Sequence, residues 1–342
     1  MKKIILFAIF ISGFLGYSQI SFGPNHFGKP GKFKKETLAA FKNSTTIFIF
    51  SNIFEKDVYE NMLKSSWDVT PYKIVAQEDF DPFDYQGNYS FAEVSGFKSV
   101  KTTKMGAIIT RLYTYFDISM YDFESINKKV SKLSPKRLEK KIDEVFYENK
   151  KGIARFYLFA DSDFVFTAVN KPMDEISHSL FNEKIFHNYT PGMLKNYFQK
   201  INRLIKEETV YWMYEENGYT KEVIELPSQI LYIPDYLGLK TNAFTAEEDE
   251  ENQEEVQDLY DTYDYEYKFI DPAELDERIL EGDQLYYLRY VRLNAEKFLE
   301  IVNSKTGEVV YRNYITGLSY NIKSKHLKEV NKTIEKAIKK KG

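Results

Sequence analysis

Two neighbouring aspartates in the middle of the chain are the sharpest candidates for catalysis. Asp161 and Asp163 follow the apolar run Phe156–Ala160, which has the composition of a buried strand. Carboxylates can act as nucleophiles and as general acids or bases. The pair therefore predicts nucleophilic or acid–base catalysis as one candidate chemistry. The alternative is a turn in which aspartates hydrogen-bond the backbone.

The same string resembles the nucleophile motif of haloacid-dehalogenase-type phosphatases. The resemblance is confined to Asp161-Ser162-Asp163-Phe164-Val165. Members of that family also use a downstream Ser or Thr, a Lys and a further acidic pair, and this chain offers no convincing ordered set of them. The acidic run Glu247–Glu251 has the character of a solvated loop instead. A phosphatase-like hydrolase built on Asp161 and Asp163 is therefore kept as an alternative, behind the turn.

Other catalytic patterns are scarce. His178 and His187, two of the four histidines, lie near Glu175 and Glu183, but their separation is not a metal-ligand spacing. The sequence contains no Walker loop, no G-x-G-x-x-G and no G-x-S-x-G elbow. Because the chain has no cysteine, disulfides, thiol nucleophiles and zinc–thiolate sites are excluded. The sequence predicts no metal and no cofactor, and it favours a protein that is not an enzyme.

The first residues have the composition of a cleavable secretory signal peptide. Two lysines precede the apolar stretch Ile4–Leu15, which is shorter than the roughly 20 residues that a membrane-spanning helix needs. Small residues, Gly16 and Ser18, precede a cleavage point between Ser18 and Gln19. We predict a signal peptide at 1–18, export to the periplasm in preference to the extracellular space, and no integral membrane segment after cleavage. An uncleaved N-terminal anchor is the alternative.

The remaining chain divides by composition. Residues 19–34 are rich in glycine, proline and lysine without hydrophobic periodicity, which predicts a flexible tether. Alternating strand and helix patterns follow. They predict an α/β (α+β) protein with two mixed-sheet domains: 35–225 as a first α/β domain with a helical extension, and 226–342 as a second α/β domain with an acidic insertion at 245–255.

The two domains share an order of patterns. Tyr72-Lys73-Ile74-Val75 in the first matches Tyr267-Lys268-Phe269-Ile270 in the second. Each string precedes an acidic segment that contains proline and then a tyrosine-rich strand. This order favours a tandem duplication that relates 44–120 to 228–315. Coincidence between two ordinary α/β patterns is the alternative.

The second domain carries the clearest local signal, a hairpin. Lys297–Val302 and Glu308–Tyr311 read as strands, and the turn between them ends in Thr306-Gly307, where glycine suits a positive φ. The element order with this Thr-Gly tip resembles envelope α/β domains of the CsgG type and the N-terminal domain of TolB. The resemblance covers 228–338 and, more faintly, 44–120. It implies an envelope protein that works by contact with other envelope proteins.

Charge and aromatic residues suggest further surfaces. Segment 247–283 is dense in Asp and Glu, and Lys268 and Arg278 are its only basic residues. Its negative charge could bind a basic partner, pair with basic residues of the same chain, or stay solvated. The lysine-rich C-terminal helix has an apolar stripe that suits packing on the second sheet, or else a lipid or partner surface. A tyrosine-rich strand offers a candidate interaction or glycan-stacking surface, with Tyr286, Tyr287 and Tyr290 as its residues.

The leading interpretation of the sequence is an exported, non-catalytic envelope protein that acts through protein–protein contacts in the periplasm. Its partners would be envelope proteins. An acidic exported chain whose basic residues are not interleaved with its aromatic ones does not favour nucleic acid. The secreted hydrolase and the glycan-binding module are the two alternatives.

Overall fold

The computed structural model describes residues 20–26, 31–106, 108–214, 216–242, 248–250, 253–317 and 319–341. These residues form two six-stranded mixed sheets that follow one another along the chain, with helices packed on them. The predicted α/β class with two mixed-sheet domains in tandem is confirmed. The predicted signal peptide at 1–18 and its cleavage site at Ser18 and Gln19 lie outside the described residues.

The first unit alternates strands and helices and then closes with antiparallel strands. Its strands are β1 (Ile20–Phe22), β2 (Thr45–Phe50), β3 (Tyr72–Ala76), β4 (Tyr89–Thr102), β5 (Ile108–Tyr121) and β6 (Lys150–Tyr157). Its helices are α1 (Lys35–Lys42), α2 (Lys56–Ser66), α3 (Phe123–Val130), α4 (Pro135–Glu148), α5 (Ser162–Ala168), α6 (Met173–Asn182) and α7 (Pro191–Glu207). The sheet order is β1-β6-β5-β4-β2-β3, in which β2 runs parallel to β3 and β4 and the other pairs are antiparallel.

The second unit repeats this arrangement with shorter connections. Its strands are β7 (Gly218–Tyr219), β8 (Leu231–Pro234), β9 (Leu239–Thr241), β10 (Glu248–Glu250), β11 (Tyr267–Ile270), β12 (Tyr286–Leu293), β13 (Glu296–Asn303) and β14 (Glu308–Thr316). Its helices are α8 (Gln253–Tyr260), α9 (Pro272–Glu281) and α10 (Ser324–Lys341). The sheet order is β7-β14-β13-β12-β8-β11, with β8 parallel to β11 and β12, while β9 and β10 form a separate antiparallel pair.

The two sheets have the same strand order and the same strand directions. Thr46 on β2 lies between Tyr72 and Ser90, and Leu231 on β8 lies between Tyr267 and Tyr286. Tyr72 and Tyr267, which begin the two matching strings, therefore occupy equivalent positions in the two sheets. This equality of order and register is what a tandem duplication predicts.

The edges of the units differ from the sequence-based boundaries. Within the predicted tether at 19–34, Ile20–Phe22 forms a strand that pairs with β6, and Ile20 and Phe22 are fully buried. The second unit likewise starts before 226, because β7 pairs with β14. Strands of two or three residues among glycines are too short to show periodicity. The acidic insertion at 245–255 lies partly outside the described residues, and Glu248–Glu250 within it pairs with β9.

Helix α7 lies between the two sheets and fixes one to the other. Its N-terminus is defined by Thr190, whose side chain accepts from the Met193 amide, and by a proline in the first turn. The ring of Phe198 packs edge-on against Phe48 of the first sheet. On its other side, Asn196 Nδ2 donates to the Ser304 carbonyl of the β13–β14 turn at 2.7 Å. Most residues of α7 are buried, because the helix contacts both units.

The C-terminal helix α10 packs on the second unit. Leu327, Val330 and Ile334 of its apolar stripe are buried in the same core as the strands β8, β12 and β13, while Ile338 is 45% exposed. The packed-helix interpretation of this segment is therefore confirmed for most of the stripe.

Candidate functional site: a groove between the two units

The two aspartates of the phosphatase-like string are on the turn that starts α5. Asp161 Oδ1 accepts the Phe164 amide at 2.6 Å, so this side chain caps the helix. Asp163 is exposed in the first turn. Both line an open depression of about 350 Å³ that also contains Lys171, Glu175 and Glu183. Carboxylates and a lysine thus share one surface, but no group of three or more His, Asp or Glu that could hold a metal occurs among the described residues.

The histidines noted in the sequence do not form a common site. His178 is exposed on α6, where the Asn182 amide contacts its ring and its carbonyl. His187 instead stacks on Tyr236, with ring centroids 4.7 Å apart.

The tyrosine surface proposed for glycan stacking is inside the protein. Tyr286, Tyr287 and Tyr290 are at most 4% exposed, because β12 is a central strand covered on both faces. The prediction of an exposed interaction surface at these residues is therefore wrong. Tyr287 contacts α7 through a hydrogen bond to Asn196 Oδ1 at 3.0 Å.

The hairpin of β4 and β5 extends beyond the first sheet as an arm, which we define as residues 95–106 and 108–113. Pairing of β4 with β2 ends at Glu93, and the ladder between β5 and β6 begins at Tyr115, so among the described strands those of the arm pair only with each other. Four large apolar side chains of the described part of the arm are exposed: Val100 by 64%, Met105 by 95%, Ile108 by 70% and Ile109 by 40%. Lysines lie among them, which makes the arm both apolar and basic.

The base of the arm forms one wall of a groove between the two units. The groove has a volume of about 180 Å³, and it lies between β5, α5 and the end of β12. Its walls are mainly apolar, with Leu112 from β5, Val165, Phe166 and Val169 from α5 and its end, and Leu293 from β12. Asn294 closes the floor, because its side chain donates to the Leu112 carbonyl at 3.0 Å. Concave apolar surfaces with a few polar groups at a domain boundary are the usual form of a ligand site.

One cation, Arg292, lines this groove. Its guanidinium carbon lies 4.6 Å from the ring centroid of Tyr320 and 5.3 Å from that of Phe159. Its Nη2 donates to Ser162 Oγ at 2.6 Å, which links the second unit to the first turn of α5. Next to it lies a cavity of about 30 Å³ that Arg292 also lines, together with His187 and Tyr236. Two rings and a hydroxyl therefore restrict the orientation of the arginine.

The loop that carries Tyr320 is held by buried polar groups. Lys297 Nζ donates to the carbonyls of Gly317 at 2.7 Å and Ser319 at 2.6 Å, and Tyr290 donates to the Tyr320 carbonyl. Burial and the neighbouring cations, Lys323 first among them, lower the pKa of Lys297 to about 8. The neighbouring cations at this end of the second sheet therefore disfavour additional positive charge.

A row of buried ionic residues crosses each sheet at one equivalent position. In the first sheet, Glu93, Asp117 and Arg155 are cross-strand neighbours on β4, β5 and β6. In the second, Arg289, Glu300 and Arg312 occupy the corresponding places on β12, β13 and β14. The acid on the middle strand and the arginine on the next are thus shared by the two units. In each row a buried acid contacts an arginine, at 2.9 Å for Asp117 and 2.6 Å for Glu300.

The sequence signals for these features were weak. Arg292 and the aromatic residues around it come from segments that are distant in sequence. No local spacing therefore indicates that they lie together. The arm has a usable signal, since the apolar residues Val100 and Met105 lie among lysines.

Fold and site together define a two-unit α/β protein with a projecting arm and an inter-unit groove. A scan against protein-family models and searches of curated proteins and of solved structures give no significant match. Within the described ranges, no helix combines the length and the apolar character needed to cross a membrane.

Proposed function

We propose that this chain is an exported, non-catalytic protein that acts in the periplasm through contacts with another envelope protein. The observation that carries the proposal is the arm, with Val100, Met105 and Ile108 exposed. Val100 and Ile108 lie diagonally opposite on one face of the hairpin, so they form a continuous patch. Exposed apolar patches on otherwise well-packed proteins commonly mark interaction sites.

The remaining composition of the arm fits a surface that is solvated until a partner covers it. Lys101 and Lys104 are exposed beside the apolar residues. Lysines on open strand edges oppose unspecific edge-to-edge pairing. An arm of this type would favour a partner with a complementary acidic and apolar surface.

Export is the second part of the proposal, and it is supported by the N-terminal sequence alone. Two lysines, the apolar stretch Ile4–Leu15 and the small residues Gly16 and Ser18 form the pattern of a signal peptide. N-terminal sequencing of the chain recovered from the cell envelope should begin at Gln19. A chain recovered with Met1 intact would contradict cleavage.

Photocrosslinking in intact cells tests the contact itself. A benzoylphenylalanine at Ile108 should give a discrete adduct with a second protein. Tyr147, which is 75% exposed on α4, provides a matched aromatic control position that should give none. Recovery of monomer alone with the probe at Val100, Met105 and Ile108 would overturn the proposal.

A hydrolase is the second candidate, because Asp161 and Asp163 share a depression with Lys171 and two glutamates. Hydrolysis of p-nitrophenyl phosphate with Mg²⁺ by the purified chain, abolished in Asp163→Asn, would favour it over the binding proposal. No turnover by the wild-type chain would reject it.

A further inference from the structure

The edge of β5 beside the groove is open to another strand. The Thr114 carbonyl accepts the Leu158 amide at 2.9 Å, so the backbone groups of Thr114 point away from β4. Because backbone direction alternates along a strand, the backbone groups of Ile108 and Thr110 point to the same side. The Leu112 carbonyl, which also points there, accepts from Asn294. An incoming extended chain would therefore meet β5 at Thr110 and Ile108, and it would stop at Asn294.

The groove where such a chain would stop has the size of one apolar side chain. Its volume is about 180 Å³, and Leu112, Val165 and Val169 contribute to its walls. Thr110, on the open edge, also lines it. The edge and the groove are therefore continuous, and a residue at the end of an added strand would place its side chain between β5 and α5.

The polar group at this end is Arg292. A guanidinium is planar and binds a carboxylate through two parallel hydrogen bonds. The rings of Tyr320 and Phe159 and the hydroxyl of Ser162 hold this one in place. Ordering an arginine costs side-chain entropy, and prior restriction reduces that cost when an anion binds.

We propose that the arm and the groove together bind the C-terminal segment of the partner protein. The segment adds to the open edge of β5 as a strand, its last apolar side chain enters the groove, and its terminal carboxylate binds Arg292. This inference rests on the proposed function and names the part of the partner that is bound. The apolar walls match an aliphatic or aromatic last residue, and the cation Arg292 matches the negative charge of a chain end. Strand addition supplies affinity through the backbone, and alternate side chains supply specificity.

The terminal carboxylate is tested with synthetic peptides. N-acetylated hexapeptides ending in Leu, Ile, Val or Phe are compared as free acids and as C-terminal amides for binding to the full chain. We expect a subset of the acids to bind and the matching amides to bind at least about tenfold more weakly. Equal binding of acids and amides would overturn the proposal. So would binding of octanoate without binding of any peptide acid, since that result indicates a small-molecule site.

Two pairs of variants locate the binding. Arg292→Gln should remove the preference for acids, whereas Arg278→Gln, which breaks an outer ion pair with Asp283, should not. Thr110→Pro removes an amide from the open edge and should abolish binding. Thr102→Pro is its matched control, because Thr102 faces outward on the opposite edge of the same hairpin and lies outside the apolar patch. Thermal melting of each variant establishes that it is folded.

The outcomes separate this inference from the function on which it rests. A crosslink at Ile108 with no difference between acids and amides would leave the protein contact standing and reject C-terminal recognition. A difference that persists in Arg292→Gln would reject the role of that arginine. Loss of peptide binding in Thr102→Pro as well as in Thr110→Pro would reject strand addition at the groove edge.

Discussion

Asp161 connects the start of a helix to the wall of the groove. Its carboxylate caps α5 by accepting the Phe164 amide. That helix presents Ser162, which holds Arg292, and the apolar side chains Val165 and Phe166. A capping interaction satisfies an amide that would otherwise lack a partner in the first turn. Asp161, which has the strongest catalytic pattern in the sequence, thus stabilises a helix that lines the groove.

Substitutions at Asp161 distinguish the cap from a nucleophile. Asp161→Ala should lower the free energy of unfolding by about 1 kcal/mol, while Asp161→Asn should keep most of it, because asparagine is also a good N-cap. Urea denaturation measures both. Asp163→Asn, with an exposed side chain, is the control and should leave stability unchanged. Equal stability of Asp161→Ala and the wild-type chain would refute the capping role.

At the scale of elements, the β13–β14 hairpin and α7 meet through a glycine. Gly307 has a φ of 65°, and a Cβ added there would lie 2.5 Å from the Asn196 carbonyl oxygen of α7. The turn therefore requires glycine for two reasons, backbone conformation and close approach. Since α7 also packs on the first sheet, this contact helps to hold the groove walls of the two units in place.

Substitutions at Gly307 and at Gly282 should separate the cost of the backbone conformation from the cost of the close approach to α7. Gly282 also has a positive φ, 89°, but nothing lies within 4 Å of an added Cβ. Gly282→Ala should cost about 1 kcal/mol of unfolding free energy for backbone strain alone, and Gly307→Ala should cost clearly more. Chemical denaturation of the two variants measures the difference. Equal losses would show that the approach of the turn to α7 is not tight.

At the scale of the whole molecule, buried ionisable groups are distributed over both units. Burial, with Arg155 and Lys150 adding to it, lowers the pKa of His26 to about 3, and burial with neighbouring lysines lowers that of His326 to about 4. Burial opposes ionisation of Asp117, but Arg155 and Lys150 hold its pKa well below the ordinary value. Burial raises the pKa of Glu296, which lies between the units near Tyr113, to about 7.

These shifts predict opposing contributions to stability between about pH 4.5 and 7. The two histidines, with lowered pKa values, stabilise the fold above about pH 6.5, and this contribution is lost as the pH falls toward 4 and 3. Glu296, with a raised pKa, stabilises it below about pH 4.5, and this contribution is lost as the pH rises through about 7. Because two histidines oppose one glutamate, urea denaturation from pH 4 to 8.5 should show stability that rises with pH and levels off at about pH 7.

The variant Glu296→Gln tests the contribution of that carboxyl. It should make the rise in stability between about pH 4.5 and 7 steeper than in the wild-type chain, because the loss of the Glu296 contribution no longer opposes that of the histidines. An unchanged slope in Glu296→Gln would show that Glu296 makes no such contribution.

Long and strongly patterned elements of this chain could be predicted from sequence, and the site could not. The Thr306-Gly307 hairpin has strong turn chemistry, so its turn and the start of both strands are predicted within a residue, although β14 continues past Tyr311 to Thr316. The repeated strings that begin at Tyr72 and Tyr267 likewise form strands with equivalent registers in the two sheets. The edge strand Ile20–Phe22 was missed because three residues carry no period. Burial of Tyr286 and Tyr290 and the neighbours of Arg292 depend on tertiary packing, which local patterns do not specify.

Amide hydrogen exchange on the arm tests the central claim, contact with a partner through this hairpin, most directly. The full chain is measured alone and in complex with the partner recovered through the Ile108 crosslink. Protection should increase at the amides of Ile108 and Thr110 on the groove side and stay unchanged at Thr102 on the opposite edge. Equal exchange at all three amides in the free chain and in the complex would contradict the account.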